Sequence, residues 1–141
     1  MTFGTGFRLL AHTADMGIEA RAASREKVVE EMARGLTALM FGRSPAVAQV
    51  TTSFVVRADD PVELLVSWLN EVLYWSEKDN LVPASFHVGA LSDGELQATI
   101  AGEPYHPRRH AVERQVKSVT YHQACLEKTP AGWYARVYVD L

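Results

Sequence analysis

The sequence predicts an α+β fold in which two helices pack on mostly antiparallel sheet, and three observations lead to that class. Two segments carry apolar residues at helical spacing, whereas the other apolar segments alternate as strands do. The dipeptide Asp93-Gly94 between two alternating segments is a strong signal for an antiparallel hairpin. Hairpin signals also outnumber the helical crossovers that a parallel sheet requires. The predicted order is strand, strand, helix, strand, helix and four further strands.

Seven segments have the alternation, or the β-branched and aromatic content, that is typical of strands. Polar or glycine-containing corners separate most of these segments. In the sixth segment Val116, Val119 and Tyr121 are the expected core-facing residues. The predicted strands lie at 7–12, 17–22, 50–58, 81–91, 95–101, within 112–126 and at 133–139.

Both predicted helices are bounded by start and stop signals. Ser24 is the expected N-cap of the first helix, and Gly42 ends it. The second helix opens at Asp59-Asp60-Pro61, an acidic cap with proline in the first turn, and closes at Lys78-Asp79-Asn80. Trp68 lies on the apolar stripe of the second helix and is expected in the core.

Composition and charge narrow the class of protein. A chain of 141 residues fits a single domain over 1–141, and 48% apolar with 22% charged residues is ordinary for a globular protein. The net charge of −3 argues against a protein that binds nucleic acid through its overall electrostatic field. Arg108-Arg109-His110 is nevertheless a local basic segment. One cysteine excludes an internal disulfide framework, so a reducing cytoplasmic location is the default expectation. No apolar run approaches the ~18 residues of a membrane helix.

The two ends of the chain predict one corner rich in oxygen ligands. Asp15 stands between the first two strands, and Asp140 ends the last strand, followed by the terminal carboxylate of Leu141. If the two ends meet in one sheet, these acids converge, and a hard cation such as Ca²⁺ or Mg²⁺ prefers such ligands. The alternative is that both acids are simply solvated, as carboxylates at strand ends usually are.

The residues alone predict no catalytic machinery. The five histidines are too scattered to define a zinc site, and neither a nucleophile elbow nor a phosphate-binding glycine loop is present. Lys117 on the sixth strand could complement a phosphate or a carboxylate of a partner, but a solvated strand face is the more common use of such a residue.

Five motifs run along the chain in order. They are His12-Thr-Ala-Asp-Met-Gly-Ile-Glu-Ala-Arg21, Leu64-Leu-Val-Ser-Trp-Leu-Asn-Glu-Val-Leu-Tyr74, Gly102-Glu-Pro104, Val116-Lys-Ser-Val-Thr-Tyr-His122 and Val139-Asp-Leu141. In this combination and spacing the chain resembles the archease family over nearly its whole length.

The resemblance implies an accessory protein that is not an enzyme by itself. Archeases assist the RtcB-type RNA ligase of tRNA splicing, which joins RNA ends through a guanylylated histidine of its own. The expected activity is promotion of the guanylylation step and of multiple turnover, so that RNA is involved only indirectly and no membrane is involved. The implied fold is a pair of strand-helix-strand-strand units, one inserted in the other.

The resemblance also assigns site residues. It places a divalent metal site on Asp15, Asp140 and Leu141, with Ca²⁺ expected in the isolated protein and Mg²⁺ or Mn²⁺ as alternatives. We expect His12, Lys117 and His122 to orient these acids or to contact the ligase. Two other functions remain open at this point: a stand-alone metal-dependent phosphoester hydrolase, and a chaperone for RNA-processing enzymes. The segment after Gly102-Glu-Pro104 departs from the family pattern, since relatives often carry an acid there.

Overall fold

The computed structural model describes residues 4–11 and 15–141, which form two helices and seven strands in two antiparallel sheets. The predicted α+β class is therefore confirmed. The helices are α1 (Arg25–Phe41) and α2 (Pro61–Asp79). The strands are β1 (Gly6–Ala11), β2 (Met16–Ala22), β3 (Val50–Arg57), β4 (Leu81–Leu91), β5 (Glu95–Pro104), β6 (Ser118–Thr129) and β7 (Gly132–Asp140).

The strand order shows how the chain is assembled from two units. A four-stranded sheet has the order β1-β2-β7-β6, and a three-stranded sheet has the order β3-β5-β4. The elements β3, α2, β4 and β5 follow one another in sequence and lie between α1 and β6. This strand-helix-strand-strand unit is thus inserted in an outer unit of the same kind, β2-α1-β6-β7, to which β1 is added as a further edge strand. Because of this insertion, the first and last parts of the chain belong to the same sheet.

The core lies between the helices and the inner faces of the sheets. Ile18 and Ala20 of β2 and Val137 of β7 are fully buried in the same core as α1. Trp68 of α2 is fully buried, as predicted, and its indole Nε1–H donates to the carbonyl of Val29 on α1 at 3.3 Å. Burying a large apolar side chain stabilises the fold by about 2–3 kcal/mol. Trp68 therefore joins the inserted unit to the outer one.

The helix ends follow the signals in the sequence. The Ser24 hydroxyl accepts from the backbone N–H of Lys27 at 3.1 Å, and the Asp60 carboxylate accepts from that of Glu63 at 2.8 Å. Both contacts satisfy donors that a helix leaves unpaired in its first turn. Asn80 closes α2 in the left-handed region, with φ of 54°. Neither helix is long and apolar enough to cross a membrane.

The sixth strand corrects one prediction. Val116 and Val119 are buried as expected, but Tyr121 is 59% exposed. The pairing of β6 with β7 is regular up to Thr120 and resumes only at Cys125. Within this irregular segment Gln123 has φ of 52°. Because the extra residues break the alternation of the strand, a side chain two residues after a buried one no longer points to the core.

Candidate functional site

The two ends of the chain meet in one sheet. Strands β2 and β7 are antiparallel neighbours, and Met16 is the partner of Val139 at one end of the pair. Asp15 directly precedes Met16, and Asp140 directly follows Val139. The two aspartates therefore stand at the same end of adjacent strands, which is the juxtaposition that the metal prediction needs.

Strand alternation gives the side of the sheet on which Asp140 lies. Val137 and Val139 are fully buried in the core, so Asp140 and Tyr138 belong to the opposite face of β7. Asp140 is exposed, and Asp15 is partly exposed. Asp140 is thus accessible to a solvent-borne cation or to a partner protein, whereas Oδ1 of Asp15 is buried.

We call Asp15, Asp140 and the main-chain oxygen of Leu141 the acid corner. Leu141 is 43% exposed and follows β7 directly. The donor set consists of oxygens alone, which suits hard cations such as Ca²⁺, Mg²⁺ and Mn²⁺. Within the described residues, no group of three His, Cys, Asp or Glu side chains could hold a metal ion. The acid corner contains only two such side chains, so its metal binding stays a prediction.

The other predicted residues lie at different distances from the acid corner. The backbone N–H of Lys117 donates to the carbonyl of Asp140 at 2.8 Å, and the Lys117 side chain is exposed. His122 is exposed too, and its ring centroid lies 6.0 Å from that of Tyr138. Lys117 is therefore held next to the corner by its main chain, whereas His122 reaches the same face through Tyr138. His12 lies outside the described residues.

Asn70, a polar residue of α2, fixes the start of β6. The Asn70 side-chain N–H donates to the carbonyl of Val119 at 3.0 Å, and its Oδ1 accepts from the N–H of Val119 at 2.9 Å. Strand β6 is at an edge of its sheet, where backbone groups lack a partner strand. Asn70 satisfies two of these groups and thereby positions Lys117 and Ser118 beside the acid corner.

Replacing Asn70 by Ala is expected to lower the free energy of unfolding by about 2 kcal/mol, because it removes two hydrogen bonds to a partly buried strand. Urea denaturation at neutral pH measures the change. Glu71→Ala, an exposed position next to it on α2, is the control and should change stability by less than about 0.5 kcal/mol. Equal stability of the two variants would contradict the role given to Asn70.

A second buried polar cluster organises the loop that leads from β5 to β6. Glu103 is only 3% exposed, and its carboxylate accepts from the backbone N–H of Val47 at 2.7 Å and from Arg109 Nε at 2.9 Å. The fully buried His110 side chain places Nε2 at 2.7 Å from Glu103 Oε1. Since Arg109 and His110 are bound to Glu103, the basic segment noted in the sequence is used to hold the loop.

The carboxylate of Glu103 also makes stability depend on pH. Burial alone would raise its pKa, but the hydrogen bonds from Val47 and Arg109 and the charge of Arg109 outweigh burial and hold the pKa below its ordinary value. A carboxyl group whose pKa is lowered by folding stabilises the protein at pH values above the ordinary pKa of that group. That stabilisation is lost as the pH falls through the lowered value.

We therefore expect Glu103→Gln to be less stable than the wild type at pH 7 and the difference to shrink on acidification to about pH 3. Urea midpoints measured at both pH values test this. The same substitution at the exposed Glu77 provides the control, with no difference at either pH. A Glu103→Gln deficit that stayed constant with pH would show that the ionised carboxylate is not what stabilises the loop.

Comparison with known proteins gives one consistent result. The model of the Archease protein family matches residues 7–141. The chain is similar to protein archease of Methanosarcina mazei, with 34% identity over 142 residues that cover 98% of this chain and 97% of the relative. It is also similar to protein archease of Methanopyrus kandleri, with 32% identity over 135 residues, 94% of this chain and 96% of the relative.

Two solved structures share the fold. The solution structure of Methanobacterium thermoautotrophicum protein 1598 has a TM-score of 0.81 and 28% identity, covering 96% of this chain and 99% of that one. The crystal structure of a Thermotoga maritima archease, described as a possible chaperone, has a TM-score of 0.64 and 19% identity, covering 95% and 96%. At that identity the second likeness shows the fold alone.

Proposed function

Since the chain belongs to the archease family, we propose that it is an accessory protein that activates an RtcB-type RNA ligase and is not an enzyme by itself. The observation that supports this best is the acid corner, in which Asp15 and the exposed Asp140 stand at the same end of the paired strands β2 and β7. Such a corner offers oxygen ligands and negative charge to a neighbouring active site. It fits a protein that completes the active site of another.

The residues of the corner have distinct tasks in this proposal. Asp15, Asp140 and Leu141 hold a divalent cation, Ca²⁺ in the isolated protein with Mg²⁺ or Mn²⁺ as alternatives. Next to a nucleoside triphosphate, such a cation supplies charge stabilisation to the leaving pyrophosphate. The exposed Lys117 side chain binds a carboxylate or phosphate of the ligase, and His12 and His122 orient the corner against it. RNA is affected through the ligase.

The test of this proposal is multiple-turnover RNA ligation by a cognate ligase that is active alone, with GTP, divalent metal and substoichiometric amounts of this protein. We expect more ligated product per ligase when the protein is present. The protein without ligase should neither ligate RNA nor hydrolyse phosphoesters. Turnover that is the same with and without the protein would contradict the proposal, and phosphoester hydrolysis by the protein alone would favour a stand-alone hydrolase.

Metal binding by the isolated protein provides a separate prediction. Calorimetric titration with Ca²⁺ should detect one site, and Asp15→Asn should weaken it at least about tenfold, because a hard cation loses a charged ligand. Asp79→Asn, an exposed carboxylate at the end of α2, should leave the affinity unchanged. Binding of equal strength in all variants would exclude the acid corner as the site.

A chaperone function is the second candidate, because the Thermotoga maritima relative is described as a possible chaperone. One experiment distinguishes the two functions: ligase solubility and ligase turnover are both measured, once with the wild-type protein and once with Asp140→Asn. Under our proposal the variant fails to raise turnover of ligase that is fully soluble throughout. If the protein raised turnover only by keeping the ligase soluble, and the variant did so equally well, a chaperone function would be supported in place of ligase activation.

A further inference from the structure

Strand β3 is an edge strand with a long and regular outer side. The three-stranded sheet has the order β3-β5-β4, so β5 occupies only one side of β3. The pairing of β3 with β5 runs from Val50 to Arg57 without a register shift. Ala58 continues the same register, and its N–H donates to the carbonyl of Gly94 at 3.1 Å. The opposite side of β3 is therefore an edge of eight residues without a bulge.

The register shows which backbone groups lie on that outer side. Backbone groups of an antiparallel strand point alternately to one side and to the other. Because Ala58 is hydrogen-bonded to β5, the N–H and C=O groups of every second residue before it also point to β5. The groups of the residues between these point away from the sheet, where the described part of the chain places no strand beside them. These residues are all exposed, and they are Thr51, Ser53, Val55 and Arg57.

The other three edge strands carry features that disfavour the addition of a strand. Pro83 of β4 lacks an N–H, and the pairing of β4 shifts twice. The pairing of β6 is interrupted between Thr120 and Cys125, and Asn70 occupies backbone groups of that strand. Strand β1 has only six residues and carries a charge at Arg8. Proteins use short edges, charges, prolines and bulges to prevent association of their sheets. Strand β3 has none of these before the arginine at its end.

We propose that β3 pairs antiparallel with β3 of a second copy of this chain, so that two three-stranded sheets become one six-stranded sheet. A twofold axis at Phe54 places Ser53 of one copy opposite Val55 of the other, and Thr51 opposite Arg57. All the outward backbone groups then have partners. Each copy supplies four N–H groups, so about eight hydrogen bonds form between the copies. No like charges face each other in this register.

The side chains on the outer edge suit such a pairing. Thr51 and Val55 are β-branched, and β-branched side chains pack well against neighbours across strands. Val55 is 54% exposed in the single chain, although it lies on a strand. In the register centred on Phe54, Val55 packs against Ser53 of the other copy, which has a small side chain. The pairing therefore covers an exposed apolar residue without steric conflict.

The charges beyond the two ends of β3 favour a second copy over an unrelated extended segment. Asp59-Asp60 follows the last residue of β3 and is exposed. Before the first residue, the N–H of Val47 donates to Glu103, which also binds Arg109. Arg109 and the exposed Arg108 outnumber Glu103 there, so this end is positive. Antiparallel pairing brings the acidic end of each copy to the basic end of the other, which makes the edge self-complementary in charge as well.

Sedimentation velocity of the isolated protein, from about 1 to about 200 µM, tests the proposal. The 15.6 kDa chain should be a monomer at the lowest concentration and a dimer at the highest, since one strand edge is a small interface. Val55→Lys should weaken the dimer at least about tenfold, because it places two cations at diagonal positions across the axis. The control is Ser85→Lys on β4, an exposed position on the other edge of the same sheet, which should dimerise as the wild type does.

Hydrogen exchange measured by NMR tests where the copies meet. At the highest concentration the amides of Thr51 and Ser53 should exchange at least about tenfold more slowly in the wild type than in Val55→Lys. The amides of Phe54 and Val56 face β5 and should be protected in both proteins. Circular dichroism melting confirms that Val55→Lys is folded.

Three results would overturn the proposal. The first is a wild-type protein that stays monomeric up to about 200 µM, which would leave the edge of β3 to another partner. The second is a dimer in which Thr51 and Ser53 exchange as fast as in Val55→Lys. The third is equal dimerisation of Val55→Lys and the wild type.

This inference goes beyond the proposed function and stands or falls separately from it. The acid corner belongs to β2 and β7 of the other sheet, so pairing at β3 uses none of its residues. Val55→Lys should therefore bind Ca²⁺ and stimulate the ligase as the wild type does. Loss of stimulation in Asp140→Asn, with dimerisation unchanged, is the expected converse.

Discussion

Replacing Asp140 by Asn is expected to reduce the stimulation of multiple-turnover ligation at least about tenfold, to the level of the ligase alone. The substitution removes one negative oxygen from the acid corner but changes neither the size of the side chain nor the backbone. The carbonyl of Asp140 keeps its hydrogen bond from Lys117, and Val139 remains in the core. The thermal midpoint should therefore shift by no more than a few degrees.

The control for this prediction is Asp79→Asn, which makes the same change at an exposed position at the end of α2. It should stimulate the ligase as well as the wild type does. Asp15→Asn should behave like Asp140→Asn, since the two residues flank the paired Met16 and Val139. Full stimulation by Asp140→Asn would show that the family motif at the end of the chain has another role here.

Replacing Gly102 by Ala is expected to lower the free energy of unfolding by about 3 kcal/mol. A Cβ atom at 102 would lie 2.3 Å from the carbonyl oxygen of Val82 on the neighbouring strand and 3.0 Å from Cη2 of the buried Trp75. Neither the backbone of β4 nor an indole held by a 3.0 Å hydrogen bond to Thr52 can move aside cheaply. For a chain of this length the thermal midpoint should fall by about 10 °C.

Gly89→Ala on β4 is the matched control, because the nearest atom to an added Cβ is 3.8 Å away. It should change stability by less than about 1 kcal/mol. If both variants were equally stable, the close approach of β4 and β5 at Gly102 would not explain the glycine of the Gly102-Glu-Pro104 motif.

Most of the fold was predictable because its signals are local. Ser24 and Asp60 precede apolar stripes at helical spacing, and each caps the helix that the pattern predicts. The hairpin at Asp93-Gly94 joins β4 and β5, with Ser92 N–H donating to the carbonyl of Glu95 at 2.9 Å. The two helix caps and the hairpin each depend on residues that are only a few positions apart, so the sequence alone contains the information that specifies them.

The errors and omissions concern contacts between distant segments. Tyr121 was wrongly expected in the core because the break in β6 pairing depends on how β7 runs beside it. Asn70 has an ordinary place on α2, and only the packed structure brings it to Val119, 49 residues away. The nearly buried Glu103 likewise becomes meaningful only with Val47 and Arg109 around it. A polar residue on an apolar helix stripe was the one signal that pointed to Asn70.

The candidate site could be predicted in part for a physical reason. Asp15 and Asp140 each border an apolar strand, and the pairing of the first and last parts of the chain brings two such borders together. From the sequence alone this pairing of strands could only be assumed, because no local signal specifies which strands become neighbours in a sheet.

The most direct test of the central claim, that the acid corner promotes guanylylation of the ligase, follows the ligase–GMP adduct itself. Ligase that has completed one round of ligation is mixed with labelled GTP and divalent metal, alone or with wild-type protein, Asp140→Asn or Asp79→Asn. We predict faster adduct formation with the wild type and with Asp79→Asn, and the rate of the ligase alone with Asp140→Asn. Equal acceleration by Asp140→Asn, or no acceleration by the wild type, would contradict the claim.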